Sequence, residues 1–110
     1  MKLVNLTPHD VVVRLENSEE KVYPSEGNAR VSTRSEVVGM VDGIDIVAQS
    51  YGDIDGLPAP QDGVLYIVSL VVRMAAQQQG RDDVISPDTS PEGAIRDDAG
   101  RIVAVRRFAL

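Results

Sequence analysis

His9 is the only histidine in the chain, and it stands beside an acid in the run Asn5-Leu-Thr-Pro-His-Asp10. An imidazole next to a carboxylate is the commonest pairing for proton transfer. Catalysis needs a partner for it, and a zinc site needs further soft ligands; the chain has no cysteine and no second histidine. The same residues also read as a turn leading into the first strand, with His9 exposed. No catalytic residue, metal ligand or cofactor is therefore assigned. A small hydrolase or transferase using His9 stands as the enzyme alternative.

The other polar clusters are better suited to binding. Asp53-Ile-Asp-Gly56 begins like a calcium loop, but the twelfth position counted from Asp53 is Val64, where the bidentate Glu should be. Ser69 precedes a helical stretch and offers a hydroxyl and free backbone N–H groups to an anion, although a helix cap needs that hydroxyl anyway. None of the glycines of a phosphate loop surrounds it. Asp82 and Asp83 enter a strand as neighbours, so they point to opposite faces and do not grip one ion; a pairing with Arg81 or plain solvation fits better.

These side chains must be positioned by a strand–helix–strand unit. Val64–Val68 is an apolar, β-branched and aromatic run bounded by Gly63. Leu70–Gln79 has helical spacing between the Ser69 cap and Gly80, and Asp83–Ser86 is a second apolar run. The helix is roughly 15 Å long, close to the span of five strand residues, so the second strand returns parallel to the first by a right-handed crossover. Ser69 and the Pro87-Asp-Thr-Ser90 turn then share one sheet edge, the edge where open parallel sheets place ligands.

Hairpins surround this unit. Val11–Leu15 pairs with Lys21–Tyr23, and Ala29–Ser32 reads as a short edge strand. Glu36–Val41 and Ile44–Gln49 flank Asp42-Gly43, the chemistry of a two-residue type I′ turn. Ideal pairing there buries the face of Val37, Val41, Ile44, Ile46 and Ala48. Tyr51–Gly63 reads as a long connection stiffened by two prolines. Ala94–Arg96 and Arg101–Phe108 form a terminal hairpin around Gly100, its last strand covered on both faces. The fold class is α+β: mainly β, a mixed sheet of hairpins around one principal helix, in a single domain over residues 1–110. The expected core is Ile46, Val64, Tyr66, Val68, Leu70, Met74, Val84, Ile102 and Val105. The helix stripe Leu70, Val71, Met74, Ala75 faces inward, and Arg73 and Gln77 face water.

The totals set bounds on partners. Seventeen acids against eleven bases leave a net charge of −6, which opposes non-specific binding to nucleic acid or anionic membrane. Nine of the eleven bases are Arg, the side chain with a planar fork for carboxylates and phosphates. Four aromatic residues provide no base-stacking platform. No stretch has the ~20 apolar residues of a membrane span, and the start does not read as a signal peptide; with cysteine absent, a cytoplasmic protein is expected. Short edge strands and a helix apolar over a wide arc point to a homo-oligomer.

The chain resembles a family of small uncharacterised proteins of bacteriophages, prophages and actinobacterial genomes. The resemblance rests on the order and spacing of Asn5-Leu-Thr-Pro-His9, Gly56-Leu-Pro with Pro60-Gln61, Tyr66-Ile-Val-Ser69, Arg81-Asp-Asp-Val with Pro87-Asp-Thr89, and Ile95-Arg-Asp with Gly100-Arg-Ile102. It brings no catalytic or ligand-contact residue with it. A phage setting implies a binder, such as a sponge for a nucleotide-like signalling molecule. The expected ligand seat is Thr7, His9, Tyr51, Gln61, Ser69, Asp88 and Thr89, where the helix N-terminus and the strand ends converge. The alternative is a protein-partner or structural module, such as an inhibitor of a host protein.

Overall fold

Val64-Leu-Tyr-Ile67 has an apolar residue at every position, and such a run needs cover on both faces. The computed structural model, which describes residues 1–110, provides that cover with ten strands and one helix. In chain order they are β1 (Lys2–Asn5), β2 (Val11–Arg14), β3 (Glu20–Tyr23), β4 (Arg30–Val41), β5 (Ile44–Asp55), β6 (Val64–Ile67), α1 (Leu70–Gln78), β7 (Val84–Pro87), β8 (Ala94–Arg96), β9 (Ile102–Val105) and β10 (Phe108–Ala109). The strands form three sheets rather than one, ordered β1-β6-β7-β10, β3-β2-β9-β8 and β4-β5. The fold is mainly-β α+β.

β6 lies between two parallel neighbours, β1 and β7. Its alternate residues serve two cores. Tyr66 and Val68 join Leu6, Ala29, Val72, Ala76 and Val84 under the helix. Ile67 joins Ile85 of β7 and Val11, Val13 and Val105 of the second sheet. The layers are therefore the second sheet, the β6 sheet, then α1 with the base of the β4–β5 hairpin, where Val31 and Ile54 pack on the first core.

The crossover follows the expected geometry, with Tyr66 paired to Val84 and Ile67 to Ile85. Ser69 caps α1, its hydroxyl accepting from the Val72 N–H at 3.3 Å. At the other end Gly80 takes φ 90°, the Gly80 N–H donates to Gln77 O, and the Arg81 N–H donates to Ala76 O. This paired closure ends the helix where a left-handed glycine permits it.

Several expectations are corrected. Lys2–Asn5 is a strand, paired in register with Val64–Ile67, a partnership between distant segments that no local pattern signals. Of the expected inward stripe of the helix, Ala75 is buried, together with Val72 and Ala76, whereas Leu70 is 52 %, Val71 43 % and Met74 42 % exposed. Alanine lets the helix approach the sheet closely, and larger side chains at those positions would hold it off. The edge strand expected at Ala29–Ser32 is the base of a much longer one, β4, which starts at Arg30 and pairs only with β5, and Tyr51–Asp55 is not the start of a loop but the base of β5. The Asp42-Gly43 turn has both φ angles positive, as expected. A bulge near Val38 pairs Val37 with Val47 instead of Ala48, and neither face of the distal hairpin is buried. Ile46 and Ile102 are exposed, and β9 ends at Val105 with Ile102 and Val103 open to solvent.

Truncation of Ile67, fully buried on the second-sheet side of β6, should cost about 3 kcal/mol, while Met74→Ala should cost less than about 1 kcal/mol. Denaturant midpoints of the two variants measured side by side check this; equal shifts would contradict the layer assignment.

Candidate functional site

β1, β6 and β7 run parallel, so their carboxyl ends, and with them Thr7, Ser69 and Asp88, lie at one sheet edge. Buried Asn5 organises that edge. Its Nδ2 donates to His9 O and Tyr23 O, both at 2.8 Å, and its Oδ1 accepts from the Thr7 N–H and hydroxyl at 2.9 and 2.7 Å. Every hydrogen-bonding position of this buried amide is used. His9 O lies 3.0 Å from the same Thr7 hydroxyl as a second acceptor for its one proton, so Thr7 sits at the centre of the loop. The exposed His9 contributes only its backbone carbonyl to this cluster.

The remaining expected ligand residues are spread out. Tyr51 lies within β5 opposite Thr33. Gln61 is exposed in the turn before β6, its carbonyl accepting from the Val64 N–H. Ser69 lines a shallow groove with Asn28, Arg30 and Val31, and Thr89 lines an apolar cleft with Asp10, Val12 and Val103. Asp88 turns toward Arg107, whose Nε donates to Asp88 Oδ2 at 2.6 Å, while Asp88 Oδ1 accepts from the Ser90 N–H at 3.0 Å. The two clefts divide Ser69 from Thr89.

Arg81 and Asp83 form a two-pronged pair, Nε to Oδ1 at 2.9 Å and Nη2 to Oδ2 at 2.8 Å, and Nη2 also donates to Pro58 O. Their mutual hydrogen bonds hold the Asp83 carboxyl below its ordinary range and raise the Arg81 guanidinium. This pair fastens the Gly56–Gly63 segment to the entry of β7, which is a structural role.

A more coherent arrangement of chemistry lies at the other end of the second sheet. Arg14 at the end of β2, together with Arg106 and Arg107 between β9 and β10, lines a polar cleft of about 570 Å³, with Leu15 and Ile95 as apolar wall and Ser18, Glu16 and Glu92 beside them. Each guanidinium is held in place by one neighbour. Arg14 donates through Nε and Nη2 to Glu20 Oε2, at 3.0 and 2.9 Å. Arg106 donates through Nη1 to Ala94 O, and Arg107 is held by Asp88. A guanidinium has five N–H donors, so all three keep donors for an anion. Ser18 sits in the left-handed region at φ 68°, an unusual place for a residue with a side chain, on the turn that closes this cleft.

Adjacent Arg106 and Arg107 would face opposite sides of a continuous strand, and Arg101–Phe108 reads as one in the sequence. The chain instead bends at Arg106 and changes sheets, so both side chains reach the same cleft. The only available signal was the Arg-Arg doublet after an apolar run. Gly93 is buried beside this bend: its N–H donates to Ser90 O, its carbonyl accepts from Arg106, and a Cβ there would collide with Asp88.

Comparison with family models, curated proteins and solved structures finds no match to this chain.

Hydrogen bonds from Ser90 first, and from Arg107 second, bring the Asp88 carboxyl from an ordinary 3.8 down to about 2. The folded value lies below the unfolded one, so this contribution is complete above about pH 4 and is lost as pH falls toward 2. Asp88→Asn should therefore lose less melting temperature than the parent between pH 5 and pH 2, the carboxyl-dependent part of the acid limb being absent. Parallel acid limbs for the two proteins would show that Asp88 is not held by these bonds.

Proposed function

We propose that the chain is a non-catalytic binder of a small anionic, nucleotide-like ligand, seated among Arg14, Arg106 and Arg107. The observation that supports this is the convergence of three arginines from two distant segments on one cleft of a protein with a net charge of −6. Guanidinium forks match phosphate oxygens. The cleft volume falls within the range of small-molecule sites, and Leu15 and Ile95 give a base or sugar an apolar wall. A sponge for a signalling nucleotide needs affinity without turnover. Three positioned cations with neither a histidine nor a thiol beside them are suited to holding phosphate rather than breaking it. The phage-type resemblance favours the same reading.

Titration calorimetry with a panel of mononucleotides, cyclic nucleotides and inorganic phosphate tests this. At least one phosphorylated compound should bind, and Arg106→Ala or Arg14→Ala should weaken it about tenfold or more, the loss expected for hydrogen bonds to a charged group. Ser69→Ala and Thr89→Ala should leave that affinity unchanged. Losses that followed Ser69 or Thr89 instead would move the ligand to the β6–β7 edge, and no binding by any member of the panel would remove the reading.

A further inference from the structure

We propose that the β4–β5 hairpin is an exchange arm, and that in a twofold dimer each arm packs across the neck and helix of a second copy of the chain. The body leaves this arm uncovered. The radius of gyration is 16.4 Å, where a compact chain of this length has about 13 Å. Beyond Thr33 the two strands run about 27 Å to the turn with no third strand beside them. A bare two-stranded hairpin is marginal in water. This one also carries Val37, Val38, Met40, Val41, Ile44, Ile46 and Val47 in its distal half, each between 44 % and 68 % exposed.

The occupant follows from what else the chain exposes. The outer ridge of α1 presents Leu70, Val71 and Met74, between 42 % and 52 % exposed. Arg73 flanks that ridge, and its Nε is buried without a hydrogen-bond partner. The arm tip is acidic, with Asp42 and Asp45, the bases of the two strands carry both signs, with Arg30 and Arg34 against Asp53 and Asp55, and the one charged residue of α1 is the cation Arg73. α1 packs against both strands at the neck, and Gln79 Nε2 donates to Gly52 O there at 3.2 Å. Antiparallel crossing of two arms therefore brings the acidic, apolar tip of each onto the apolar, Arg73-bearing ridge of the other's α1, and a single twofold axis satisfies both contacts. A chain cannot make this contact with itself, because its own tip is held an arm's length from its own Arg73.

Light scattering of the full chain should give twice 11.9 kDa, and the arm variant Met40→Glu/Ile44→Glu should return the monomer mass while keeping a cooperative melt, since both positions are exposed. The absence of cysteine allows a direct test of the contact. Mixing chains carrying Asp45→Cys with chains carrying Arg73→Cys under oxidising conditions should give a disulfide-linked pair, and neither variant alone should. A monomer mass for the parent at all concentrations from micromolar to millimolar would overturn the proposal. So would a dimer that Met40→Glu/Ile44→Glu leaves intact, or a dimer with no cross-link in the mixture.

Discussion

β6 has no face that can meet water. Leu65 and Ile67 point to one side, Tyr66 and Val68 to the other, and Tyr66, Ile67 and Val68 are at most 2 % exposed. The rest of the body is the set of elements needed to cover those two faces and two edges. β1 and β7 take the edges, and the second sheet takes one face. The other face goes to α1, which comes close enough only because Ala75 and Ala76 face inward. Most strands are four residues or shorter, so no hairpin of the body is stable by itself and the layers are interdependent.

What could be read in the sequence follows from how local each signal is. The β6–α1–β7 unit is legible because its determinants are neighbours: Gly63, the apolar run, the Ser69 cap and the Gly80 stop lie within eighteen residues of one another. Asp42-Gly43 is equally legible, since two positive φ angles in succession demand such residues. The pairing of β1 with β6 joins segments some sixty residues apart, and nothing within Lys2–Asn5 announces its partner. The helix face was obscured for a different reason. Periodicity puts Leu70, Val71 and Met74 on the inward stripe with Ala75 and leaves out Val72 and Ala76, but the sheet selects for size as well as hydrophobicity. The distal hairpin carries the alternating pattern of a half-buried ribbon, and the body contains no surface to bury it.

The candidate site was the least legible part. Ser69, Thr7 and Asp88 do reach one sheet edge, as the parallel crossover requires, yet their polar atoms serve the α1 cap, the Asn5 cluster and the Arg107 clamp. The Arg cleft depends on the chain leaving one sheet at Val105 and joining another at Phe108, a bend invisible to strand periodicity. Cleft and arm occupy different parts of the molecule, so the proposed ligand binding and the proposed self-association can be tested separately.

Native-state hydrogen exchange, read amide by amide, tests most directly the claim that β6 is the centre on which both cores depend. The Tyr66 and Val68 N–H groups donate to Asp83 O and Ile85 O at 2.9 and 2.8 Å inside the middle layer. They should exchange only through global unfolding, with the same free energy and the same denaturant dependence as the whole body. Amides of β3 and β8, the edge strands of the second sheet, should open first and locally. Exchange of Tyr66 and Val68 through small local openings, with β3 or β8 better protected, would contradict the account.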